Sequence, residues 1–127
     1  MCMYVNRGAK IRRSLRKVPC WKVVEWDSEH CIWTGPYYAS ESYVEGKMLK
    51  SDKRVKARFN HVEHGLHTYA DKSDALILKN RMSFINRHSR FRVIECEIPR
   101  FSRYIEGLGE DMDRCYVSER LKVVKFV

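Results

Sequence analysis

Glycine and proline are scarce in this chain, six and three of its 127 residues, which excludes collagen-like and low-complexity architectures. No apolar run approaches the roughly 18 residues that a membrane-spanning helix requires. The five cysteines, Cys2, Cys20, Cys31, Cys96 and Cys115, are odd in number, widely spaced and without a C-x-x-C pair. A disulfide framework of the kind that staples small secreted domains is therefore not expected. Met1 to Arg7 has no apolar stretch behind a basic one, so a signal peptide is not expected either. Walker A, G-x-G-x-x-G and H-E-x-x-H patterns are all missing, which removes the commonest nucleotide and metalloprotease signatures. These absences predict a cytoplasmic protein with reduced thiols, no membrane partner, and no cofactor or metal.

What is present is a single domain's worth of chain, 44% hydrophobic and 12% aromatic. A chain of this length buries roughly two thirds of its unfolded surface, enough for one self-sufficient core. Cations dominate: 25 Lys and Arg face 16 Asp and Glu, giving a formal charge of +9. A surplus of that size attracts polyanions and speeds encounters with them. Its distribution is uneven. Arg7, Lys10, Arg12, Arg13, Arg16 and Lys17 crowd a basic amino-terminal segment at about residues 1–18. Lys47, Lys50, Lys53, Arg54, Lys56 and Arg58 form a second group, and Arg81, Arg87, Arg90 and Arg92 a third, while Glu106, Glu110, Asp111 and Asp113 gather the acid elsewhere.

Periodicity supplies the elements. Cys20 to Trp26 is β-branched and aromatic between Pro19 and Asp27-Ser28, the pattern of a strand. Cys31-Ile32-Trp33 reads as a short second one. Val55 to Val62 alternates Val55, Ala57 and Phe59 with Lys56, Arg58 and Asn60, which predicts a half-buried strand with a cationic outer face. Lys56 and Arg58 on that face would stand about 7 Å apart, a spacing that can follow a phosphate backbone. Asp71 to Asp74 offers helix caps, and Ala75, Leu76, Leu78, Met82 and Ile85 suit a principal helix over about 72–86. Arg92 to Ile98 places Ile94, Cys96 and Ile98 on one strand face and Glu95 and Glu97 on the other. Residues 100–114 read as a long loop with Gly107 and Gly109; Cys115 to Val117 and Leu121 to Val127 read as strands. Ile11, Leu15 and Val18 fit one face of a short basic helix over 9–18, and an ordered arm fits equally well. The expected class is α+β, a small mostly antiparallel sheet with that one principal helix.

Candidate chemistry is sparse. His61, His64 and His67 form H-x2-H-x2-H, but residues three apart on a strand point to opposite faces, and Gly65 disfavours a continuous helix. Ordinary strand and turn positions are the preferred account, not a zinc site. Cys96 shares a face with Ile94 and Ile98, so it is read as a small buried apolar residue, not a nucleophile. Aromatic rings beside cations can stack on unpaired bases, each worth about 1–3 kcal/mol. Tyr37, Tyr38 and Tyr43 precede the second basic group, and Phe91, Phe101 and Tyr104 follow the third. Most of these are assigned to the core; Tyr37-Tyr38, after Gly35-Pro36, are the expected exposed pair.

Two resemblances bear on function. Gly65-Leu66-His67-Thr68-Tyr69, with Tyr104 and either Glu106 or Glu119, resembles the His, Tyr and Glu set of ADP-ribosyltransferase-like folds, although the arginine-led and Ser-Thr-Ser signatures are lacking. That resemblance implies a small transferase with His67 and Tyr104 positioning a nicotinamide dinucleotide. The second rests on Val93-Ile94-Glu95-Cys96-Glu97-Ile98-Pro99, Ser102-Arg103-Tyr104-Ile105-Glu106-Gly107, Tyr116 to Val124, and Gly65-Leu66-His67 with the helix after it. Over about residues 20–127 the chain resembles small uncharacterised proteins carried by bacteria and their phages. It implies a phage or mobile-element setting, in which small basic proteins bind host machinery, including CRISPR-like defence nucleases. The leading expectation is a non-enzymatic module engaging nucleic acid, or a host ribonucleoprotein, through Arg12, Arg13, Arg16, Lys17, Lys53, Arg54, Lys56 and Arg58. A protein-protein inhibitor without nucleic-acid contact is the remaining alternative.

Overall fold

The structure is a computed structural model that describes residues 3–5, 10–35, 42–58, 61–62, 64–109 and 111–127, without the side chains of residues 3, 4, 57, 58 and 61. Among the described residues, twelve strands and one helix follow in the order β1 Met3–Tyr4, β2 Arg12–Arg13, β3 Val18–Asp27, β4 Ile32–Thr34, β5 Met48–Lys50, β6 Ala57–Arg58, β7 His61–Val62, β8 Leu66–Tyr69, α1 Lys72–Ile85, β9 Phe91–Ile98, β10 Arg103–Leu108, β11 Arg114–Ser118 and β12 Arg120–Phe126. The described pairings are antiparallel, in the order β5-β12-β9-β3-β8-β11-β10-β1-β7-β6, with β2 on β10 and β4 on β3. The fold is thus α+β, a mostly antiparallel sheet with one helix. No helix among the described residues is long and apolar enough to cross a membrane.

The pleat divides the sheet into two cores. On β9, Val93 and Phe91 face one side with Val23, Tyr69, Ile105 and Val117. Ile94, Cys96 and Ile98 face the other with Cys20, Val24, Leu49, Leu121 and Val123. Successive strand residues alternate between faces, so β9 serves both cores at once. Glu95 and Glu97 lie with the first set by this alternation, and their carboxylates reach Lys125 and Lys17, each at 3.7 Å. The helix covers the first core with Ala75, Leu78 and Met82, the i, i+3, i+7 spacing of one helical stripe. Ile77 and Ile85 remain exposed.

A single residue forces the sheet to curl. Strands β11 and β12 are separated by β9, β3 and β8, which in a flat sheet is about 19 Å at roughly 4.8 Å per strand. Yet only Glu119 lies between them, and two residue steps span at most about 7 Å. The sheet therefore wraps around the second core and brings the end of β11 to the start of β12 at Glu119. Cations of distant sequence meet at this corner.

Three expectations are corrected. The helix expected over 9–18 is absent from its described part, 10–18: Arg12 and Arg13 pair with Tyr104 and Arg103 as strand β2, and Leu15 is 80% exposed. Ser14 holds that path in place; it is 1% exposed, and its hydroxyl donates to the Pro99 carbonyl at 2.6 Å. Pairing with a strand edge satisfies more backbone groups than one short turn of helix would. Residues 103–108 are strand β10 rather than loop, in register with β11. Val55 to Val62 is no single strand: β6 folds back on β7, Ala57 opposite Val62, with both Val55 and Val62 fully buried.

Candidate functional site

At the Glu119 corner a cleft of about 430 Å³ is lined by Arg13, Lys50, Lys53, Arg54, Arg103 and Arg120, together with Ser51, Asp52, Phe101, Ser102 and Glu119. Six cations thus confront two carboxylates. One carboxylate is already engaged: Glu119 Oε1 lies 3.3 Å from Arg103 Nε and accepts from the Val55 amide at 3.2 Å. The 51–55 turn is tied down from both ends. Ser51 N donates to the Glu119 carbonyl at 2.8 Å, and its hydroxyl donates to the Lys53 carbonyl at 2.7 Å. Lys53 and Arg54 are consequently presented from a braced turn.

The register places like charges face to face. Arg13 is the direct partner of Arg103 across β2 and β10, and Lys50 the direct partner of Arg120 across β5 and β12. Directly opposed residues share a face with their Cβ atoms about 4.5–5.5 Å apart, and like charges there destabilise the sheet. Both pairs line the same cleft. An anion seated between them would relieve the repulsion.

The candidate residues divide. Arg13, Lys53 and Arg54 converge in the cleft. Arg12, one residue along the strand, points to the opposite face by alternation; Arg16 and Lys56 are exposed but do not line the cleft. Lys17 sits by Glu97, and the Arg58 side chain lies outside the described residues, as do Tyr37 and Tyr38. Sequence reasoning missed Lys50, Arg103, Arg120 and Phe101 as site residues, because only pairing across strands puts them beside Arg13.

The third basic group serves the protein's own surface. Arg81 Nη1 lies 2.7 Å from Asp111 Oδ2. The Arg90 and Arg92 guanidiniums stand 5.8 and 6.0 Å from the Trp33 ring centre, and Arg92 is also 5.0 Å from that of Phe126. Asp27, Glu29 and His30 bring three potential metal-ligating atoms within 4.8 Å, but His30 Nδ1 is bonded to Asp27 Oδ2 at 2.8 Å in an exposed turn. Cys96 is buried as expected and its thiol pushed up by burial.

His67 shares no sheet face with Tyr104 or Glu106 of the ADP-ribosyltransferase-like set, and Glu119 is engaged by Arg103. His67 is in register with Val117, and Val117 with Ile105, so Tyr104 and Glu106 point to the other side of the sheet. Glu106 instead lies 3.0 Å from Arg114 Nε. Burial lowers the His67 pKa to about 4, and nearby Lys22 adds to the effect; Lys22 Nζ donates to the His67 carbonyl at 2.7 Å. The native state therefore binds fewer protons than the unfolded state between about pH 4 and the ordinary 6.5. Stability should rise with pH across that window and fall as the solution is acidified through it. Urea midpoints measured over this range should climb for the wild type and climb less steeply for His67→Gln.

Comparison of the chain with protein-family models, with curated proteins and with solved structures finds no match. The reading of function rests on the cleft itself.

Proposed function

We propose that the protein is a non-enzymatic binding module whose Glu119 corner cleft engages the phosphates of nucleic acid, free or held in a host ribonucleoprotein. The observation that carries this is the pairing of Arg13 with Arg103 and of Lys50 with Arg120 in one concavity. Glu119 offsets Arg103 in part, while no ion pair among the described residues offsets Lys50 or Arg120, and directly opposed like charges destabilise a sheet. Phosphate oxygens are the ligand such a cluster fits, since arginine forks match them bidentately and lysines add point charge. In this proposal the module acts as a phage-type inhibitor that occupies the nucleic-acid face of a defence complex.

Replacing Lys50 by Gln tests the central observation with two readouts of opposite sign. Binding of a labelled oligonucleotide, followed by fluorescence anisotropy at low salt, should weaken. The melting temperature of the free protein should rise, because one like-charge pair is gone, and that gain should fade as salt screens the repulsion. Weaker binding with a lower melting temperature would mean that Lys50 is a structural residue and the opposed pairs are not a site. Pull-down from a host lysate with and without nuclease separates nucleic acid from a protein surface: retention of the target after nuclease treatment contradicts the nucleic-acid reading.

A further inference from the structure

Phe101 sits where a sequence would ordinarily place glycine. The Ser102 amide donates to the Pro99 carbonyl at 3.2 Å, closing a four-residue turn with Phe101 third, at φ +66°. Positive φ at the third position is the mark of a type II turn and is normally met by Gly or Asn. A bulky side chain there is a backbone outlier that persists only when its surroundings hold it. The surroundings do so. Phe101 N donates to the Ser14 carbonyl at 2.7 Å, Ser14 N to the Ser102 carbonyl at 2.9 Å, and Ser102 N also to Ser14 Oγ at 3.0 Å. The Phe101 carbonyl accepts from Arg13 Nη1 at 3.1 Å.

All this fixes a ring that the core does not use. Phe101 lines the cleft and is 58% exposed, with the Arg100 guanidinium 4.5 Å from its ring centre. An apolar ring held at strain beside six cations is the combination that unpaired nucleotides require: a face for the base and charges for the backbone. A duplex keeps its base faces inside the stack and can offer only phosphates. The cleft volume, about 430 Å³, also lies in the range of sites for one small ligand.

We infer that the cleft takes single-stranded rather than duplex nucleic acid, with an unpaired base stacked on Phe101 and flanking phosphates held by Arg13, Arg103 and the Lys53-Arg54 turn. This rests on the phosphate-binding reading above and adds the strandedness of the ligand to it. Arg100, already packed on the ring, would extend the platform, since arginine stacks on planar groups as readily as on aromatics.

The test compares oligothymidine, a duplex of equal length and inorganic polyphosphate, each binding the full chain at low salt. Wild type should prefer the single strand to both others. Phe101→Ala should lose on the order of ten- to a hundredfold in single-strand affinity, the equivalent of one stacked base, with an unchanged salt slope because the phosphate contacts remain. Phe101→Trp should retain the affinity. Phe101→Gly should lose it while raising the melting temperature, since glycine adopts positive φ without strain, which also shows that the turn survives the change. If Phe101→Ala binds all three ligands as wild type does, the stacking inference falls while the phosphate-binding reading stands. If none of the three binds wild type, both fall.

Discussion

Reversing Arg13, Lys53 and Arg54 together to Glu is expected to reduce oligonucleotide affinity at low salt by on the order of a hundredfold or more. These three cations reach the cleft from two chain segments, and the reversal adds three repelling charges where three attracting ones stood. The salt dependence should change with the affinity. Each phosphate neutralised on a single strand contributes about 0.7 to the slope of log affinity against log salt, so losing three contacts should flatten it by about 2. The decisive comparison is a second triple reversal, at Lys72 and Lys79 of the helix and Arg87 beyond it, which makes the same change in net charge away from the cleft. That variant should bind within a few-fold of wild type. Equal losses in the two variants, measured by anisotropy titrations across a salt series, would mean that net charge alone governs binding.

Gly65→Ala is expected to destabilise the fold by about 3 kcal/mol, near the upper end of what overpacking costs. Gly65 has φ +119°, a region that L residues with a Cβ avoid. A Cβ built there would stand 2.4 Å from Val117 Cγ1 and 3.0 Å from Val55 Cγ2. Neither neighbour can give way easily, because Val55 and Val117 are both fully buried. The damage should also reach the cleft. Val55 donates its amide to Glu119, so displacing Val55 loosens the brace between the 51–55 turn and the β11-β12 corner. Urea denaturation of this variant should show a lowered midpoint, and nucleic-acid affinity should weaken although no cation has been touched. An unfolding free energy within about 1 kcal/mol of wild type would show that the turn can shift to conventional φ values without disturbing either valine.

Both effects depend on features that differ in how far the chain's order of residues reveals them. Local pattern was sufficient where one element decides its own structure. The β-branched run after Pro19 falls within β3, Leu121 to Val127 overlaps β12 in all but its first residue, and the helix spans Lys72–Ile85, close to the expected 72–86. The alternation from Arg92 to Ile98 correctly separates Cys96 from Glu95 and Glu97, because side chains on a strand have a period of two whatever the partner strand. The basic amino-terminal and middle segments were visible by counting charges, and of the eight cations singled out there Arg13, Lys53 and Arg54 line one cleft.

Pattern failed where the partner decides. Ile11, Leu15 and Val18 fit a helical face, but a helix there would leave Ser14 without the Pro99 and Ser102 groups it bonds, so the segment joins β10. Residues 103–108 have glycine at 107 and mixed polarity, yet β11 supplies a full set of backbone partners. Phe101 resembled any core aromatic, since no sequence signal announces a positive φ at a residue other than glycine.

By itself, the order of residues determined the strand-rich α+β class, the single principal helix, the buried thiol of Cys96 and the excess of positive charge, because each follows from local periodicity or simple counting. Only the tertiary structure decided which cations become neighbours. Arg13 opposes Arg103 and Lys50 opposes Arg120 because hydrogen-bond register, and a sheet curled tightly enough for Glu119 alone to join β11 to β12, bring distant segments to one corner. Register is a property of two strands together, so neither strand's sequence contains it.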